Sequence, residues 1–562
     1  MMDFDVELIR RYAAENKIKF GRASSKAVIG KVIASMPEYK TRVRELIPVI
    51  ERVVEEINSM SIEDLKRYYS PPVKKKVKEE FRLPPLPKAV EGMVSTRFAP
   101  NPDFVLHLGS LRPLILSYEY AKMYNGKFYI RFEDTDPKTK RPEPRFYEAI
   151  KRDVEWLGIK PDKYIYQSDR LELYYDVART LIDRGYAYVC LCERDVFKKY
   201  VYNGLACPHR GQSIEDNHEL FDKMLNRFFN EGEAVLRIKT DLNHPNPSVR
   251  DWPALRIIDT ETYRHPRVYD EYIVWPLYNF SCAIDDYMMG ITHVLRGAEH
   301  RVNEVKQSYI FRYMGWDPPE YIHHGRVAIP EGILSKSKIL KGIREGLYTG
   351  IDDPRLATLP ALRRRGFHPK ALYNVILKTG LSSSNTTIDF SMLAAENRKV
   401  IDREANRYYG VRNPKTVYIY LMDDVEVKIR VHPDHPERGY RIFRLYRGEN
   451  YIYIDFEDEK YLEYGDLIRL ISLGNFRVGE ETLEFINNDV SWAKERGIPF
   501  IHWIPVERVL EAEFIYPGVI YSGYVEANVL GVHVDDVIQL ERLGYFRVED
   551  DDIPFRFIFA HR

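Results

Sequence analysis

The stretch from Val94 to Asp136 constrains this chain more than any other. It reads as a strand (Val94 to Phe98), then a turn (Ala99-Pro100-Asn101-Pro102-Asp103). A helix follows, opened by Val105-Leu106-His107-Leu108-Gly109-Ser110 and stopped at Asn125-Gly126. A second strand, Lys127 to Phe132, carries Glu133-Asp134-Thr135-Asp136 at its end. A strand-helix-strand unit with functional groups at both strand carboxyl ends predicts an open α/β sheet, which binds ligands at that edge. A helix N-terminus offers unpaired N–H groups and a partial positive charge, which suit a phosphate. Gly109 lets a flat base or a ribose approach the backbone, and His107 can donate to a phosphate oxygen. Far along the chain, Gly332-Ile333-Leu334-Ser335-Lys336-Ser337-Lys338 is small, polar and basic after an apolar lead-in. Lys336 or Lys338 there can hold the β- and γ-phosphates. Taken singly, a His beside a Gly is more often a turn, and a basic loop more often a solvated one.

Together the two signals are specific. His-x-Gly at an early helix and Leu-Ser-Lys-Ser after a long interval resemble the signature pair of class I aminoacyl-tRNA synthetases. Arg97-Phe98-Ala99-Pro100-Asn101-Pro102, Arg131-Phe132-Glu133-Asp134-Thr135-Asp136 and Tyr166-Gln167-Ser168-Asp169 resemble glutamyl-tRNA synthetases. So do Trp275-Pro276-Leu277-Tyr278-Asn279-Phe280 and Gly290-Ile291-Thr292-His293-Val294-Leu295-Arg296-Gly297. The resemblance, to the archaeal type, runs from about Met93 to the end. Two positions depart from the signatures: Ser110 stands where His is usual, and Ile333-Leu334 where Lys-Met is usual. The phosphate role then rests on Lys336, with Lys338 as a substitute.

The resemblance implies a set of sites. His107, Gly109 and Lys336 would be catalytic. Pro100, His107, Gly109, Ser110, Leu334, Ser335, Lys336 and Ser337 would bind ATP, which enters with magnesium. Arg97, Asn101, Glu133, Tyr278 and Arg296 would bind glutamate. Glu133 would pair with the α-ammonium, and the two arginines would share the carboxylates in an order the sequence leaves open. Arg296 carries the substrate argument: a buried carboxylate needs a paired cation, and a guanidinium meets it with two parallel bonds. Glutaminyl enzymes have no arginine at the matching place. The implied reaction forms glutamyl-adenylate and then esterifies tRNA(Glu), with tRNA(Gln) left open as a second acceptor. The rival readings are a glutaminyl enzyme, a catalytically silent tRNA-binding paralogue, and a nucleotidyltransferase of the same core.

Length and charge fit this outline. The chain has 562 residues, enough for several domains. Lys plus Arg equals Asp plus Glu at 84 each, unlike a dedicated non-specific nucleic-acid binder. Four cysteines imply no disulfide framework. No run is long enough to span a membrane and the N-terminus is no signal peptide, so a cytoplasmic protein is expected, with a monomer implied by the family.

The expected fold class is multidomain α/β, with a Rossmann-like class I core carrying an α/β insertion. Residues 1–70 read as a helical domain, since Val43, Leu46, Ile47, Ile50, Val53, Val54 and Ile57 recur at three and four residue steps. Lys17, Lys19, Arg22, Lys26 and Lys31 offer it a basic face for RNA, or one merely solvated. Residues 71–92 form a Pro/Lys-rich linker. The core occupies 93–184 and 273–345, with Asp285-Asp286 and Gly290 read as a turn. Within the insertion, 185–272, the pairs Cys190-Leu191-Cys192 and Cys207-Pro208-His209 can close a tetrahedral zinc site. The alternative is buried free cysteine. Some bacterial glutamyl enzymes carry such a site at a longer interval, and in the family the insertion holds the tRNA acceptor end. A helical stem-contact segment (346–407) follows, locally basic at Arg355, Arg363, Arg364 and Arg365. From 408 to 562, short alternating strands predict an all-β region of two barrels. In the family it binds the anticodon, here with Arg441, Arg444, Tyr446 and Arg447 as candidate base contacts.

Overall fold

The computed structural model describes residues 4–65, 68, 83–330 and 334–562. The prolines and lysines of residues 70–82, and Gly332 and Ile333 of the second signature, lie outside these. Two compact units divide at Glu80 and Phe81. The first is helical. Its Val43–Ser59 helix buries Leu46, Ile50, Val53, Val54 and Ile57, the stripe set by the 3.6-residue period. Lys17 does not belong to a basic face. Its Nζ donates to the carbonyls of Ile57 and Asn58 at 3.1 and 2.9 Å, closing the end of that helix. Lys31 pairs with Glu15 at 2.8 Å.

In the second unit, strands Ser95–Phe98, Lys127–Phe132 and Lys163–Tyr166 run parallel, in that order. The helices Leu108–Met123 and Pro144–Trp156 make the crossovers. At the end of the first, a Cβ on Gly126 would lie 2.0 Å from the Val94 carbonyl, so only glycine lets the chain turn there against its own first strand. A second parallel pair, His293–Gly297 and Glu320–His324, is joined by the Arg301–Met314 helix. Thr292 stitches the two pieces together. Ser95 N–H donates to Thr292 Oγ1 at 2.8 Å, and Thr292 N–H to the Ser95 carbonyl at 2.9 Å. The strand order therefore reverses between Ser95–Phe98 and His293–Gly297, which is the switch point of a Rossmann-like sheet.

Between the two halves, Ala187–Cys190, Val235–Ile238, Pro253–Ile257 and Val274–Pro276 make a four-stranded antiparallel sheet in sequence order. After the core come the helices Leu359–Arg364, Pro369–Thr379 and Phe390–Ile401. The spacing of the sequence suggests a helix from Asp353 to Arg365, but it begins at Leu359, because Asp353 holds a loop through Thr349 and Arg355 and Thr358 then caps the helix.

The C-terminal third forms two seven-stranded sheets. The edge strands of one, Arg407–Tyr408 and Gly410–Arg412, are separated in sequence only by Tyr409. Those of the other, Phe500–Ile501 and Ile504–Pro505, are separated only by His502 and Trp503. A sheet whose two edges are consecutive in the chain must curl round on itself, so both are barrels. The two closures meet, with His502 Nε2 2.6 Å from the Gly410 carbonyl.

Several arginines read as exposed are internal ties. Arg363 bonds Asp153 of the core, and Arg364 bonds Glu549 of the second barrel at 2.6 Å. Arg365 is buried and donates to the carbonyls of Pro354 and Ala560. Arg355 closes on Asp353. Arg441 is fully buried between Glu526, at 2.8 Å, and Glu541, so it cannot stack on a base. Arg444 pairs with Glu426 at 2.9 Å, while Tyr446 stays exposed. Among the described residues no helix is long and apolar enough to cross a membrane.

Burial pushes the Glu526 carboxyl up to about 7 against the pull of Arg441. Arg441→Met should therefore destabilise the C-terminal region by about 3–5 kcal/mol at pH 8, since it leaves a buried carboxylate unpaired. Without the arginine that carboxyl titrates higher still, so near pH 5 it is neutral in the folded state and no unpaired charge is buried. The deficit in urea unfolding should shrink between pH 8 and 5.

Candidate active site

The five residues expected to bind glutamate line one cleft of about 840 Å³ at the switch point: Arg97, Asn101, Glu133, Tyr278 and Arg296. His107, Gly109 and Leu334 share it. A smaller cleft of about 320 Å³ alongside is lined by Pro100, Asn101, His107, Ser110, Leu334 and Lys336. Ser335 and Ser337 line neither; they are exposed and 3.1 Å apart, oxygen to oxygen.

A charge network forms the floor. Asp285 and Asp286 are not in a turn but inside the Tyr278–Met288 helix, fully buried. Asp286 accepts from Arg97 Nε and Nη2 at 3.0 and 3.2 Å and from Arg131 Nη1 at 2.7 Å. Burial alone would raise its pKa, but Arg97 and Arg131 overcome this and hold it at about 2. Asp285 accepts from Arg170, Gln167 and Tyr174 at 2.7 to 2.8 Å. Arg131 passes its other end to Glu133 Oε1 at 3.2 Å, and the Cys282 thiol donates to the same oxygen at 2.9 Å. Among the described residues Glu133 Oε2 makes no hydrogen bond, which leaves an anionic oxygen for a cation.

The two arginines are therefore unequal. Arg97 has its Nε and Nη2 committed to Asp286 and can present only Nη1. Arg296 donates Nη1 to Gln307 Oε1 at 3.0 Å, while its buried Nε and Nη2 have no partner. Buried donors are nearly always paired, so this open fork is the feature of the cleft best fitted to a carboxylate. The Tyr278 hydroxyl lies 3.4 Å from His300 Nδ1, and Asn101 Oδ1 is buried without a partner.

On the opposite side, His107 caps the Leu108–Met123 helix, and its N–H donates to Ser110 Oγ at 3.3 Å. Ser110 thus has a local structural role. A Cβ on Gly109 would stand 3.0 Å from His107 Cε1 and 3.5 Å from Leu334 Cδ1, so the glycine admits the imidazole and the leucine over the first helical turn. Burial lowers the His107 pKa and favours the neutral ring, whose Nδ1 has no partner. Lys336 opens the Lys336–Arg344 helix with Nζ 2.7 Å from Asp103 Oδ2. Lys338 is exposed.

In the insertion, Cys190, Cys192, Cys207 and His209 present ligand atoms all within 4.8 Å of one another. Cys190 Sγ and Cys207 Sγ are 3.9 Å apart, and Cys192 Sγ and His209 Nδ1 3.3 Å. A tetrahedral zinc with ordinary bond lengths needs roughly 3.8 Å between sulfurs and roughly 3.6 Å from sulfur to nitrogen. The four residues fit such an ion.

Asp285, Asp286, Arg131, Cys282 and Gln307 escaped the sequence reading. Helical spacing could have found three of them, since Tyr278, Cys282 and Asp285 or Asp286 fall on one face at steps of four and three or four. Asp286→Asn keeps the shape but leaves the buried Arg97 without an anion and takes one from Arg131, and should cost about 3–5 kcal/mol in urea unfolding. A carboxyl held below its ordinary value contributes stability that is full above about pH 4 and lost as pH falls towards 2. That part of the acid dependence should vanish in the variant.

The chain matches the family described as tRNA synthetases class I (E and Q), catalytic domain, over residues 93–403. Two anticodon-binding domains of the same family match residues 405–492 and 500–549. It is 48% identical to a glutamate–tRNA ligase of Pyrococcus furiosus, across 99% of this chain and 99% of that one. The corresponding protein of Pyrococcus abyssi is 49% identical over 96% of each chain. That of Thermococcus kodakarensis is 47% identical over 99% of each. With a family match over more than half its length and relatives of this closeness over nearly all of it, the chain belongs to the glutamate–tRNA ligases of class I, beside the archaeal members.

Proposed function

We infer that this chain uses ATP to ligate glutamate to tRNA(Glu) through a glutamyl-adenylate. The observation that carries the substrate is the unpartnered Nε and Nη2 edge of Arg296 in the cleft. We assign that edge to the side-chain carboxylate and Arg97 Nη1 to the α-carboxylate. Glu133 holds the α-ammonium, with Tyr278 and Asn101 as neutral partners. Glutamine would set an amide N–H against the guanidinium, a donor facing a donor, which a polar site rejects strongly.

ATP enters as its magnesium complex along the smaller cleft. The first turn of the Leu108–Met123 helix offers N–H groups to the phosphates, and a neutral His107 donates one N–H to a phosphate oxygen. Lys336, released from Asp103, follows the leaving pyrophosphate. The glutamate α-carboxylate attacks the α-phosphorus in line. A ribose hydroxyl of the terminal tRNA adenosine then attacks the adenylate carbonyl and displaces AMP. No protein nucleophile is needed, and positioning with charge stabilisation does most of the catalysis.

Zinc in the insertion, held by Cys190, Cys192, Cys207 and His209, would supply a rigid crosslink rather than chemistry. We assign 93–184 and 273–345 to the catalytic core, 185–272 to the acceptor end, 346–407 to the stem and 408–562 to the anticodon.

Aminoacylation of unfractionated tRNA with labelled glutamate and, separately, labelled glutamine tests the reading. Glutamate should be incorporated and glutamine not; the reverse would sink the role of Arg296. Identifying the charged tRNAs decides whether tRNA(Gln) is also an acceptor. Arg296→Leu should lose about 2–5 kcal/mol of transition-state binding, about thirtyfold or more in kcat/KM for glutamate. Elemental analysis should find about one zinc per chain, reduced in Cys207→Ser together with the thermal stability of the insertion.

A further inference from the structure

Arg296 is held from behind by two groups that the proposed reaction does not use. Gln307, on the Arg301–Met314 helix, has no exposed surface and accepts from Arg296 Nη1 at 3.0 Å. Tyr321, on the neighbouring parallel strand, sets its ring centre 4.5 Å from the guanidinium. Between them they fix one end and one face of a flexible side chain. The edge left over is Nε and Nη2, buried and unpartnered.

The chemistry at position 307 decides what Arg296 can do. An amide oxygen accepts one N–H and carries no charge. The guanidinium therefore keeps its full charge and an open edge. A carboxylate in the same place would carry the matching charge and two oxygens, so it would take the fork as an internal bidentate pair. Among the described residues Arg296 makes no ion pair. The carboxylate of Glu304, one helical turn before Gln307, turns instead to His323 Nδ1 at 3.6 Å.

We propose that Gln307 is a positioning residue that sets the preference for glutamate over glutamine. It aims the Nε and Nη2 edge and, being neutral, reserves the charge of Arg296 for the substrate's side-chain carboxylate. Its uncharged state is as important as its hydrogen bond. The inference rests on the assignment of Arg296 to that carboxylate.

Two near-isosteric variants of the full chain separate charge from contact. Gln307→Glu supplies the competing anion, and Gln307→Met removes the acceptor at similar volume. In aminoacylation with each amino acid, Gln307→Glu should raise the glutamate KM by about tenfold or more, since the new carboxylate competes with the substrate's for the same fork. Its kcat should change less, and the glutamine-to-glutamate ratio of kcat/KM should rise. Gln307→Met should shift both in the same direction by a smaller factor. Neither KM nor that ratio depends on the fraction of folded enzyme, so partial unfolding cannot mimic the result. If both stay at wild-type values in the two variants, or kcat alone falls, the inference is overturned. Arg296→Leu, run in parallel, keeps the failures apart: unchanged glutamate kinetics there would overturn the pocket assignment itself.

Discussion

Asp286 is the point on which the active cleft depends. A carboxylate with no exposed surface is tolerable only with its charge matched and its oxygens bonded, and here two arginines from adjacent strands do both. Arg97 comes from the first strand of the sheet, Arg131 from the second, and Asp286 from the helix before the fourth. The network therefore joins both halves of the core beneath the switch point. It also sets what lies above it, because Arg131 continues to Glu133 and Arg97 is left with one free nitrogen. Such a buried cluster adds little net stability compared with apolar packing. Its contribution is a fixed arrangement of charge at the floor of the cleft, which a site that must tell a carboxylate from an amide requires.

Much of this was legible in the sequence, and the boundary follows the range of the interaction. The Val94 to Asp136 unit is local: strand alternation, the Asn125-Gly126 stop and the carboxylates after Phe132 all act within a few residues. The apolar stripe of the Val43–Ser59 helix is local too. The roles of the arginines are not. Arg97 finds Asp286 at a separation of 189 residues, Arg364 finds Glu549 at 185 and Arg441 finds Glu526 at 85. A run such as Arg363-Arg364-Arg365 reads as a basic face because its partners are invisible along the chain. With 84 cations against 84 anions, every basic cluster has acids available, and folding decides which clusters remain exposed. The barrels show the same limit. Alternation predicts strands, but closure is visible only when Tyr409, or His502 and Trp503, are seen to link the two edges of one sheet.

The two departures from the class signatures also have physical readings. Ser110 is the third residue of the helix after the His107 cap, where its hydroxyl accepts the cap's own N–H. A small hydroxyl there locks the helix start, so the place does not need an imidazole to keep the first turn in shape. Leu334 packs beside Gly109 and against the apolar core of the first half. It holds the second signature against the first while Lys336, two residues on, is tied among the described residues to Asp103 alone.

Perturbed charges and unpartnered polar atoms are both spread through this protein. Burial shifts groups throughout this protein, including Asp153, Arg365 and Glu526, none of which lines the main cleft. Unpaired buried atoms also occur elsewhere, Trp252 Nε1 among them. Around the switch point four of them belong to residues that line one cleft: Arg296 Nε and Nη2, Asn101 Oδ1 and His107 Nδ1. In the reading proposed above, the partners of these four atoms belong to the substrates. On that proposal the two donors on Arg296 take the anionic end of the amino acid, and the cap of the Leu108–Met123 helix takes a phosphate. The distance between those two sets is what the Asp286 network and the Thr292 stitch hold constant, since a carboxylate can attack phosphorus in line only if both halves of the sheet keep their register.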